Sequence, residues 1–597
     1  MNHLVALLTR RAQQQAQQEA LKIWQHGSWQ SITWTQFQQS WQKVAQALIH
    51  LGHKSGERVA IMSNNLPQWT ISDLGILAAR GCVVPIYPTN TAEQSQYILQ
   101  DSGCSILFVG HREQLELALE LQQNGVIEHL ICLNPDLQLT EQEAKSVIAW
   151  QELLEMNSSI ASTELANRQL QFDSSELATL IYTSGTTGEP KGVMLDHDNF
   201  AAAFRMHDER LSVDETDTSL SFLPLSHVFE RAWTYYILYR GACNVYLEDP
   251  SEVQAALERT KPTLMCSVPR LYEKIHGAIL QKVAAAPKTK QMLFNWALKT
   301  AEMRFLAMNK HQSVSFALEK KYQLADRLVL RKLRSIFVNA KILPCSGARL
   351  ADDINLFFQS IGVPLNYGYG MTETTATVSC YPEGKIRIGS IGAPMNDIEV
   401  KLNDEGEILV KGDTVMRGYF NKPEATEQCI IDGWLHTGDA GEFDTAGNLV
   451  MTERIKELMK TSGGKYIAPQ RVEGELIREP LFEQVAIIAE ARHFVSALIV
   501  PAYEALELHA HQLGLKFKDR AELLEHAEIK SLMQSRLKQV QSNLARFEQV
   551  KQFTLLPREF CMKQGELTPT LKLRRKVIEG RFAEQIKAMY AIKPATI

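Results

Sequence analysis

The sequence predicts an α/β protein with a large N-terminal domain of α/β subdomains and a small β subdomain, followed by a small α+β domain. Three observations predict this class. Short β-rich segments alternate with helical patterns from Gly56 onward, hairpin patterns follow Tyr381, and a polar helical tail closes the chain. At 597 residues the chain is also too long for one compact core.

The chain begins with apolar residues at helical spacing. Leu4, Leu7 and Leu8 stand beside Arg10 and Arg11. This pattern predicts an amphipathic helix packed on the body of the protein, with a surface-seeking helix as the alternative.

The main α/β region follows. The segments GERVAIMSNN, ISDLGILAARG, CVVPIYP, TAEQSQYILQDSG and SILFVG alternate between strand and helix patterns. Such alternation favours a sheet whose strands are joined by crossover helices. The rhythm continues through LATLIYTSG, VPRLYEKI and ILPCSGA, and a charged helical insert at about 283–338 interrupts it.

The character of the sequence changes after Tyr381. EVKLNDEGEILVKG and GEFDTAGNLVMTE each read as a hairpin with a glycine turn, which predicts a β subdomain at about 382–453. Strand patterns QVAIIAE and VSALIVP then precede the helical tail. We therefore divide the chain into an N-terminal domain, 1–454, and a C-terminal domain, 455–597.

Composition restricts the functional class. The chain is 45% hydrophobic and 22% charged with a net charge of −5, which indicates no nucleic-acid partner. Nine single cysteines without a CxxC pair indicate a reduced, cytoplasmic protein. No stretch approaches the ~20 apolar residues of a membrane span, so any membrane contact, for instance at the inner membrane face, would be peripheral. A monomer and a homodimer both remain open.

The stretch YTSGTTGEPKG predicts an anion-binding loop after a buried strand. Glycines let backbone N–H groups point inward, hydroxyls add donors and a lysine adds charge; the donor residues are Thr183, Ser184, Gly185, Thr186, Thr187, Gly188 and Lys191. The alternative is a flexible turn. The spacing differs from the nucleotide-hydrolase loop, because Pro190 stands where a second glycine would be needed and Gly192 where a hydroxyl would be.

Four motifs together resemble the acyl-adenylate-forming superfamily, which includes acyl-CoA synthetases, adenylation domains of peptide synthetases and firefly luciferase. They are YTSGTTGEPKG, YGMTET, GWLHTGD and the lysine-bearing LTPTLKLRRKV. They occur in the family order, and the resemblance covers nearly the whole chain. It implies that ATP, Mg²⁺ and CoA are used and that the C-terminal domain is mobile.

The resemblance also assigns nucleotide-site residues. Tyr369 and Gly370 would border adenine, Thr372 would touch the α-phosphate, and Glu373, a hard oxygen ligand, would hold the metal. Gly347 and Ala348 in SGARL would form the adenine-side loop, while Asp439 and Arg454 would bind ribose. Taken alone, Glu373 reads equally well as an exposed loop carboxylate and Asp439 as a turn former.

The resemblance implies that the C-terminal domain acts in two steps of the reaction, first by delivering a lysine and then by presenting a loop to the incoming thiol. Lys572 matches the family lysine that bridges the attacking carboxylate and the α-phosphate, and Lys456 aligns with the hinge. Gly463 and Gly464 resemble the loop that lines the pantetheine channel of CoA. Lys576 reads as part of a solvated basic run.

The acid remains to be identified. FLPLSHVFERAW lacks the aspartate with which peptide-synthetase domains anchor an amino group, so an apolar acid is favoured. This stretch and the helical insert resemble long-chain fatty acyl-CoA synthetases. His227 is a candidate for positioning near the carboxylate or the metal, with a hydrogen-bonded core histidine as the alternative.

Several other functions stay open at this point. One alternative is a fatty acyl-AMP ligase that loads an acyl carrier protein, and another is a medium-chain or aryl acid–CoA ligase. An oxidative luciferase and a catalytically dead binder are disfavoured, the latter because Lys191, Glu373, Asp439 and Lys572 are all intact.

Overall fold

The computed structural model describes residues 3–156, 159–183, 189–310, 312–454, 457–562, 564–568 and 572–591. These residues form two compact units. The first contains the chain up to Thr437 together with Glu442–Met451, and the second contains Gly438–Gly441 together with the chain from Thr452 onward. The architecture is mixed α/β, which confirms the predicted class.

A seven-stranded sheet organises the first part of unit one. Its strand order is β7-β6-β5-β3-β4-β8-β9, and it is parallel except that β9 runs antiparallel to β8. The elements of this region are α1 (Leu4–Gln14), β1 (Glu19–Gln25), β2 (Ser28–Thr33), α2 (Trp34–His50), β3 (Arg58–Met62), α3 (Pro67–Ala78), β4 (Cys82–Ile86), α4 (Ala92–Ser102), β5 (Ile106–Val109), α5 (Arg112–Gln123), β6 (His129–Cys132), β7 (Val147–Ala149), α6 (Trp150–Glu155), α7 (Ser159–Leu170), β8 (Leu177–Thr183), β9 (Lys191–Asp196) and α8 (His197–Asp208).

A second sheet, β10-β11-β1-β2, and a third, β12-β13-β14-β15, complete most of unit one. Over residues 283–310 and 312–338 the helical insert carries no strand. The elements here are β10 (Thr218–Ser221), α9 (Val228–Arg240), β11 (Cys243–Tyr246), α10 (Val253–Thr260), α11 (Pro269–Ala284), α12 (Lys288–Asn309), α13 (Phe316–Ala325), a π-helical turn (Asp326–Leu330), α14 (Arg331–Leu333), β12 (Leu343–Cys345), α15 (Asp352–Ser360), β13 (Leu365–Tyr369), β14 (Ser379–Cys380) and β15 (Ala393–Pro394).

The remaining elements include both predicted hairpins. The five-stranded sheet has the order β16-β17-β19-β18 with β20 paired to β19, and the last sheet is β23-β24-β25. The elements are β16 (Ile398–Leu402), β17 (Glu407–Gly412), α16 (Pro423–Cys429), β18 (Ile430–Ile431), β19 (Trp434–Phe443), β20 (Leu449–Arg454), β21 (Met459–Lys460), β22 (Tyr466–Ile467), α17 (Pro469–Leu476), β23 (Phe482–Ile488), β24 (Val495–Pro501), α18 (Tyr503–Gln512), α19 (Arg520–Glu525), α20 (Ala527–Val540), β25 (Val550–Leu555), α21 (Arg575–Arg581) and α22 (Ala583–Ala591).

The N-terminal helix packs inward. Leu4, Val5 and Leu8 are almost fully buried in the core of unit one, so their side chains are committed to packing. The helix ends at Gln14, and the following residues form the β1–β2 hairpin. No helix in the described ranges combines the length and the apolar character needed to cross a membrane. None of the nine cysteines forms a disulfide.

A buried ion pair joins three elements of unit one. Arg231 on α9 and Asp73 on α3 are each 1% exposed, and two hydrogen bonds of 2.6 and 3.0 Å connect them. Tyr235 donates to the same carboxylate at 2.6 Å, and Arg231 donates to the Thr179 hydroxyl on β8 at 2.6 Å. The network therefore satisfies the buried charges while tying both helices to the sheet.

We predict that Arg231→Met destabilises unit one by about 3–5 kcal/mol, because it leaves the Asp73 carboxylate buried without its cationic partner. Chemical denaturation followed by fluorescence measures this loss. The matched control is Arg205→Met, since the Arg205–Asp413 pair is exposed and spans 3.4 Å. The control should cost less than about 1 kcal/mol. Equal losses for the two variants would contradict the role of the buried pair.

Glu230 carries a second buried titratable group of unit one. It lies one residue before Arg231, is fully buried, and accepts hydrogen bonds from the Leu223 N–H at 3.0 Å and the Cys266 thiol at 3.2 Å. Burial raises the pKa of its carboxyl from 4.5 to about 8. The folded protein therefore holds this carboxyl protonated at neutral pH.

This shift predicts a pH-dependent stability that Glu230→Gln removes. The unfolded chain releases the proton near pH 4.5 and the folded chain only near pH 8. The wild type should therefore lose stability relative to the variant across that interval, by roughly 1.4 kcal/mol per pH unit. Denaturation at a series of pH values measures the difference. Exposed Glu405→Gln serves as the control, and parallel pH curves for wild type and Glu230→Gln would refute the prediction.

Candidate active site

The phosphate-loop motif lies between two paired strands. Strands β8 and β9 are antiparallel, and Thr183 at the end of β8 pairs with Lys191 at the start of β9. The predicted loop residues Ser184, Gly185, Thr186, Thr187 and Gly188 lie outside the described residues. The strand register thus brings the first and last of the predicted phosphate ligands face to face.

The YGMTET motif forms a strained turn after β13. Thr372–Thr374 make one turn of 3₁₀ helix, and Thr375 and Ala376 then adopt positive φ values of 52° and 59°. Gly370 is required for close packing, because a Cβ there would lie 2.2 Å from the backbone of Ala376. Backbone in this region costs free energy for residues with side chains, so the surrounding contacts must hold the turn in place.

Glu373 is held at both ends. The residue is 8% exposed, and its Oε1 accepts a hydrogen bond of 2.8 Å from the Tyr419 hydroxyl. Its backbone carbonyl accepts from the Met416 N–H at 2.9 Å. Among the described residues no cationic side chain pairs with this carboxylate.

Tyr419 connects Glu373 to the phosphate-loop lysine. The Lys191 ammonium lies 4.9 Å from the centroid of the Tyr419 ring, within the range of a cation–π contact. The hydroxyl of the same ring binds Glu373. One tyrosine therefore stands between an ammonium and a carboxylate, and neither of these forms an ion pair within the described part of the chain.

The backbone explains the position of Tyr419. Residues 417–420 add an antiparallel segment to β9. The Met194 N–H donates to the Gly418 carbonyl at 3.0 Å, and the Phe420 N–H donates to the Gly192 carbonyl at 2.8 Å. The Tyr419 N–H donates to the Thr426 hydroxyl at 2.8 Å. Because β9 begins with Lys191, this register places the tyrosine beside the lysine.

These residues fit a magnesium-bound triphosphate. Mg²⁺ is commonly held by one or two carboxylates together with substrate phosphates, and Glu373 is an acidic oxygen ligand whose hydrogen bond leaves further acceptor capacity. In the described ranges no cluster of three or more His, Cys, Asp or Glu side chains forms a protein-only metal cage. Lys191 would face the phosphates as a point charge.

The adenine-side residues meet at one sheet edge. Strands β12 and β13 are parallel with Cys345 opposite Tyr367, so SGARL and YGMTET leave the same edge. Gly347 has φ of 87°, and the Tyr367 hydroxyl accepts from the Leu350 N–H and donates to the Ala348 carbonyl, at 2.9 and 3.2 Å. Tyr369 ends β13 and is 8% exposed.

His227 has a structural role that sequence reasoning left open. It is the N-cap of α9, and its Nδ1 accepts a hydrogen bond from the Phe229 N–H at 3.1 Å. Trp233 on the same helix is buried, and its indole N–H donates to the Ser219 hydroxyl at 3.0 Å. Capping accounts for the position of His227 without any contact to substrate. Its placement near the carboxylate or the metal stays a proposal.

In the second unit, the ribose candidates lie on two paired strands. Asp439 is on β19 in the segment Gly438–Gly441 and is 1% exposed, although it carries a carboxylate. Aspartate is rarely buried to this extent unless its carboxylate is paired. Arg454 is the last residue of β20. The proposed hinge, Lys456, lies outside the described residues.

Two hydrogen bonds join Lys572 to Thr568. The Thr568 N–H donates to the Lys572 carbonyl at 2.7 Å, and the Lys572 N–H donates to the Thr568 hydroxyl at 3.0 Å. Downstream, Arg575 forms a two-fold hydrogen-bonded ion pair with Glu473 at 2.6 and 2.7 Å. The hydrogen bonds thus fix the backbone of Lys572, and the residue is exposed to solvent.

Gly463 and Gly464 form the tip of the β21–β22 hairpin. The Gly464 N–H donates to the Thr461 carbonyl at 2.9 Å, and Gly464 has φ of 78°. A Cβ at either glycine would meet no atom within 4 Å. The tip therefore offers exposed, unobstructed backbone.

A separate cavity of about 370 Å³ lies in unit one between the β1–β2 hairpin and α10. Trp24, Trp29 and Arg259 line it, and the Arg259 guanidinium lies 4.6 Å from the Trp24 ring centroid. None of the predicted nucleotide-site residues lines this cavity.

Tyr419 is the residue that sequence reasoning missed. The string RGYFNKPEAT contains a tyrosine after a glycine and before a proline turn, a pattern that suggests only a loop. Its contacts with Lys191 and Glu373 arise from strand pairing across distant segments. Residue spacing within one segment carries no signal for such contacts.

The N-terminal and C-terminal regions both match known families. Residues 8–420 match the AMP-binding enzyme family, and residues 456–593 match the AMP-binding enzyme C-terminal domain. The chain is 33% identical to the long-chain-fatty-acid–CoA ligases FadD15 of Mycobacterium bovis and Mycobacterium tuberculosis, over 94% of this chain and 93% of each relative. It is 29% identical to mouse ACSBG2, a long-chain-fatty-acid–CoA ligase, over 94% of this chain and 89% of that protein.

Solved structures share the fold at lower identity. The anthranilate CoA ligase AuaEII has a TM-score of 0.72 at 20% identity, and the alignment covers 98% of both chains. The O-succinylbenzoate CoA synthetase of Bacillus subtilis, solved with ATP and magnesium, has a TM-score of 0.66 at 20% identity and covers 96% of this chain and 98% of its own. The family matches and the relatives span nearly the whole sequence, and the chain therefore belongs to the AMP-binding enzyme family.

Proposed function

We propose that this protein is a long-chain fatty acid–CoA ligase of the AMP-forming type. It converts a fatty acid and ATP to acyl-AMP and pyrophosphate, and then transfers the acyl group to CoA with release of AMP. The carrying observation is the arrangement of Lys191 and Glu373 on either side of Tyr419. Family membership and relatives named long-chain-fatty-acid–CoA ligases support the substrate class.

In the first half-reaction, a carboxylate oxygen attacks the α-phosphorus and the bond to the pyrophosphate oxygen breaks. Glu373 would hold Mg²⁺, which neutralises phosphate charge, while Lys191 and the loop from Thr183 bind the phosphates. Thr372 would contact the α-phosphate, and Lys572 would bridge the two approaching anions. Tyr369, Gly370, Gly347, Ala348, Asp439 and Arg454 would hold the adenosine.

In the second half-reaction, the CoA sulfur attacks the acyl carbon, the bond to AMP breaks, and the thiol proton is released. We assign the exposed glycine tip at Gly463 and Gly464 to the pantetheine channel, with the hinge near Lys456. This requires a mobile C-terminal domain, 455–597, which presents different surfaces in the two steps.

The acid is proposed to be long-chain. FLPLSHVFERAW offers no aspartate for an amino acid substrate, and His227, at the start of α9, is proposed to lie near the carboxylate. We further propose a cytoplasmic enzyme, a monomer or homodimer, that associates peripherally with the inner membrane face where its substrate dissolves.

A coupled assay of the purified protein tests this function. ATP, Mg²⁺ and CoA are supplied with a series of fatty acids of increasing chain length, and AMP, pyrophosphate and acyl-CoA are measured. The proposal expects turnover that needs a long-chain acid. Pyrophosphate release without any acid would overturn it, and transfer to an acyl carrier protein but not to CoA would favour the acyl-AMP ligase alternative.

Lys572→Ala should slow adenylation by about two to three orders of magnitude, which corresponds to about 2.7–4 kcal/mol of lost transition-state stabilisation. Pyrophosphate release in a single turnover measures this step. The matched control is Lys576→Ala, which removes an exposed lysine from the same basic run. Wild-type rates of acyl-AMP formation in Lys572→Ala would remove Lys572 from the mechanism.

Tyr419→Phe tests how the Glu373 carboxylate is positioned. The substitution keeps the ring beneath Lys191 and deletes only the hydroxyl at 2.8 Å from Oε1. We expect about a tenfold weaker binding of ATP in the presence of Mg²⁺, the equivalent of one charge-assisted hydrogen bond, and little change for metal-free ATP.

Isothermal titration calorimetry with and without Mg²⁺ measures both affinities. The control is Tyr239→Phe, which deletes another tyrosine-to-carboxylate hydrogen bond, to Asp208 at 3.1 Å, at the far end of α9. If Tyr419→Phe weakened ATP equally with and without the metal, the hydroxyl would not act through the metal ligand.

A further inference from the structure

The helical insert, residues 283–338, differs in charge from the rest of the chain. It contains eleven lysines and arginines and three aspartates and glutamates, a net charge of +8. The whole chain carries −5, so the remainder carries −13. The insert is therefore a concentrated positive region on an acidic protein.

The insert also exposes large apolar side chains. Eighteen such side chains are exposed in the described part of the chain, and nine of them lie in this short segment; the nine are Met292, Leu293, Met303, Leu306, Met308, Phe316, Leu324, Leu328 and Val338. Isolated exposed apolar residues are normal, whereas a concentration of them marks an interaction surface.

On α12 the apolar and basic residues share one face. Met292, Lys299, Met303 and Leu306 are spaced by seven, four and three residues, so they fall within about 60° of one another around the helix. All four are exposed, and the opposite face buries Phe294 and Ala297. The outward face of this helix is thus apolar and positive.

The next helix repeats the pattern. On α13, Phe316, Lys320 and Leu324 are spaced by four residues, and Phe316 is 78% exposed. The Lys320 ammonium lies 5.5 Å from the Phe316 ring centroid. Lysine stems of this kind can lie along apolar surface while their charges reach outward.

Internal ion pairs do not use up the positive charge. Glu319 pairs with Arg304 at 2.8 Å, and Asp326 pairs with Arg334 at 2.5 Å. In the described ranges, no carboxylate forms an ion pair with the exposed lysines of the two faces. Two of the three acidic residues of the insert are engaged with arginines, and in the described ranges no ion pair joins the third, Glu302, to a lysine. The lysines are therefore available to an external anion.

We propose that the solvent faces of α12 and α13 form a docking surface for an anionic lipid membrane. The inference rests on the proposed function, because long-chain fatty acids partition into lipid. Positive side chains are attracted to anionic headgroups, and methionine, leucine and phenylalanine insert between them. The N-terminal helix cannot serve this purpose with its apolar face, which is buried in the core.

Charge complementarity favours a membrane over a second copy of this chain. A second copy would bring its own +8 insert against this one in a symmetric contact, which places like charges together. An anionic bilayer presents many negative headgroups that adapt to scattered lysines. Long, flexible side chains suit that fluid surface better than a rigid interface.

Vesicle flotation tests the docking surface. Wild-type protein is mixed with vesicles of phosphatidylcholine alone or of equimolar phosphatidylcholine and phosphatidylglycerol, at low and high salt. We expect binding to the mixed vesicles that weakens as salt rises. A variant with Lys299, Lys310, Lys320 and Lys321 changed to Gln should bind them roughly 10²–10³-fold more weakly.

Two further variants control the experiment. Changing the exposed Lys516, Lys518, Lys538 and Lys587 of the second unit to Gln removes the same charge elsewhere and should leave binding unchanged. Met303→Gln with Phe316→Gln keeps all charges and should weaken binding by loss of insertion. The melting temperature, and activity with a long-chain acid dispersed in neutral detergent without vesicles, show that each variant is folded.

The outcomes separate the proposals. Equal vesicle binding by the insert variant and the control variant would overturn the docking surface, whatever acids the enzyme activates. A concentration-dependent dimer that the insert variant abolishes, without vesicle binding by the wild type, would overturn it in favour of a second copy. Failure to activate any fatty acid would overturn the proposed function, while the flotation result would still decide the docking surface.

Discussion

The antiparallel seam between β9 and residues 417–420 is the constraint on which the proposed nucleotide site depends. Its hydrogen bonds fix the register that sets Tyr419 beside Lys191. The same chain segment reaches Glu373 through the Met416 N–H and the tyrosine hydroxyl. Through this seam, Tyr419 links the strand that begins with Lys191 to the turn that carries Glu373.

The aromatic ring also keeps opposite charges from neutralising each other. A direct ion pair between Lys191 and Glu373 would satisfy both groups and lower their capacity for ligands. With tyrosine between them, the ammonium rests against a π face and the carboxylate accepts one hydroxyl. Each retains capacity for a second partner, the lysine for phosphate oxygens and the carboxylate for a metal ion.

Sequence reasoning recovered what local patterns determine. The α/β alternation, the hairpins β16–β17 and β19–β20, and the strand QVAIIAE appear as expected, because periodicity and glycine turns act over a few residues. The β1–β2 hairpin was missed although it carries a local signal, a tight turn at His26 and Gly27 with positive φ, because the apolar spacing at the start of the chain favoured a helix. Tyr419 was missed because its place depends on pairing with the distant strand β9, and the cap formed by His227 depends on where α9 begins.

The positive φ angles at Thr375 and Ala376 bear on when the conformational cost of this turn is met. Gly370 packs so closely against this turn that the backbone has little room to relax. If Glu373 holds the metal of ATP as proposed, the conformational cost of placing it is met once, when the domain folds, and is not repeated with each molecule of ATP. A turn that formed only on binding would subtract that cost from nucleotide affinity at every turnover.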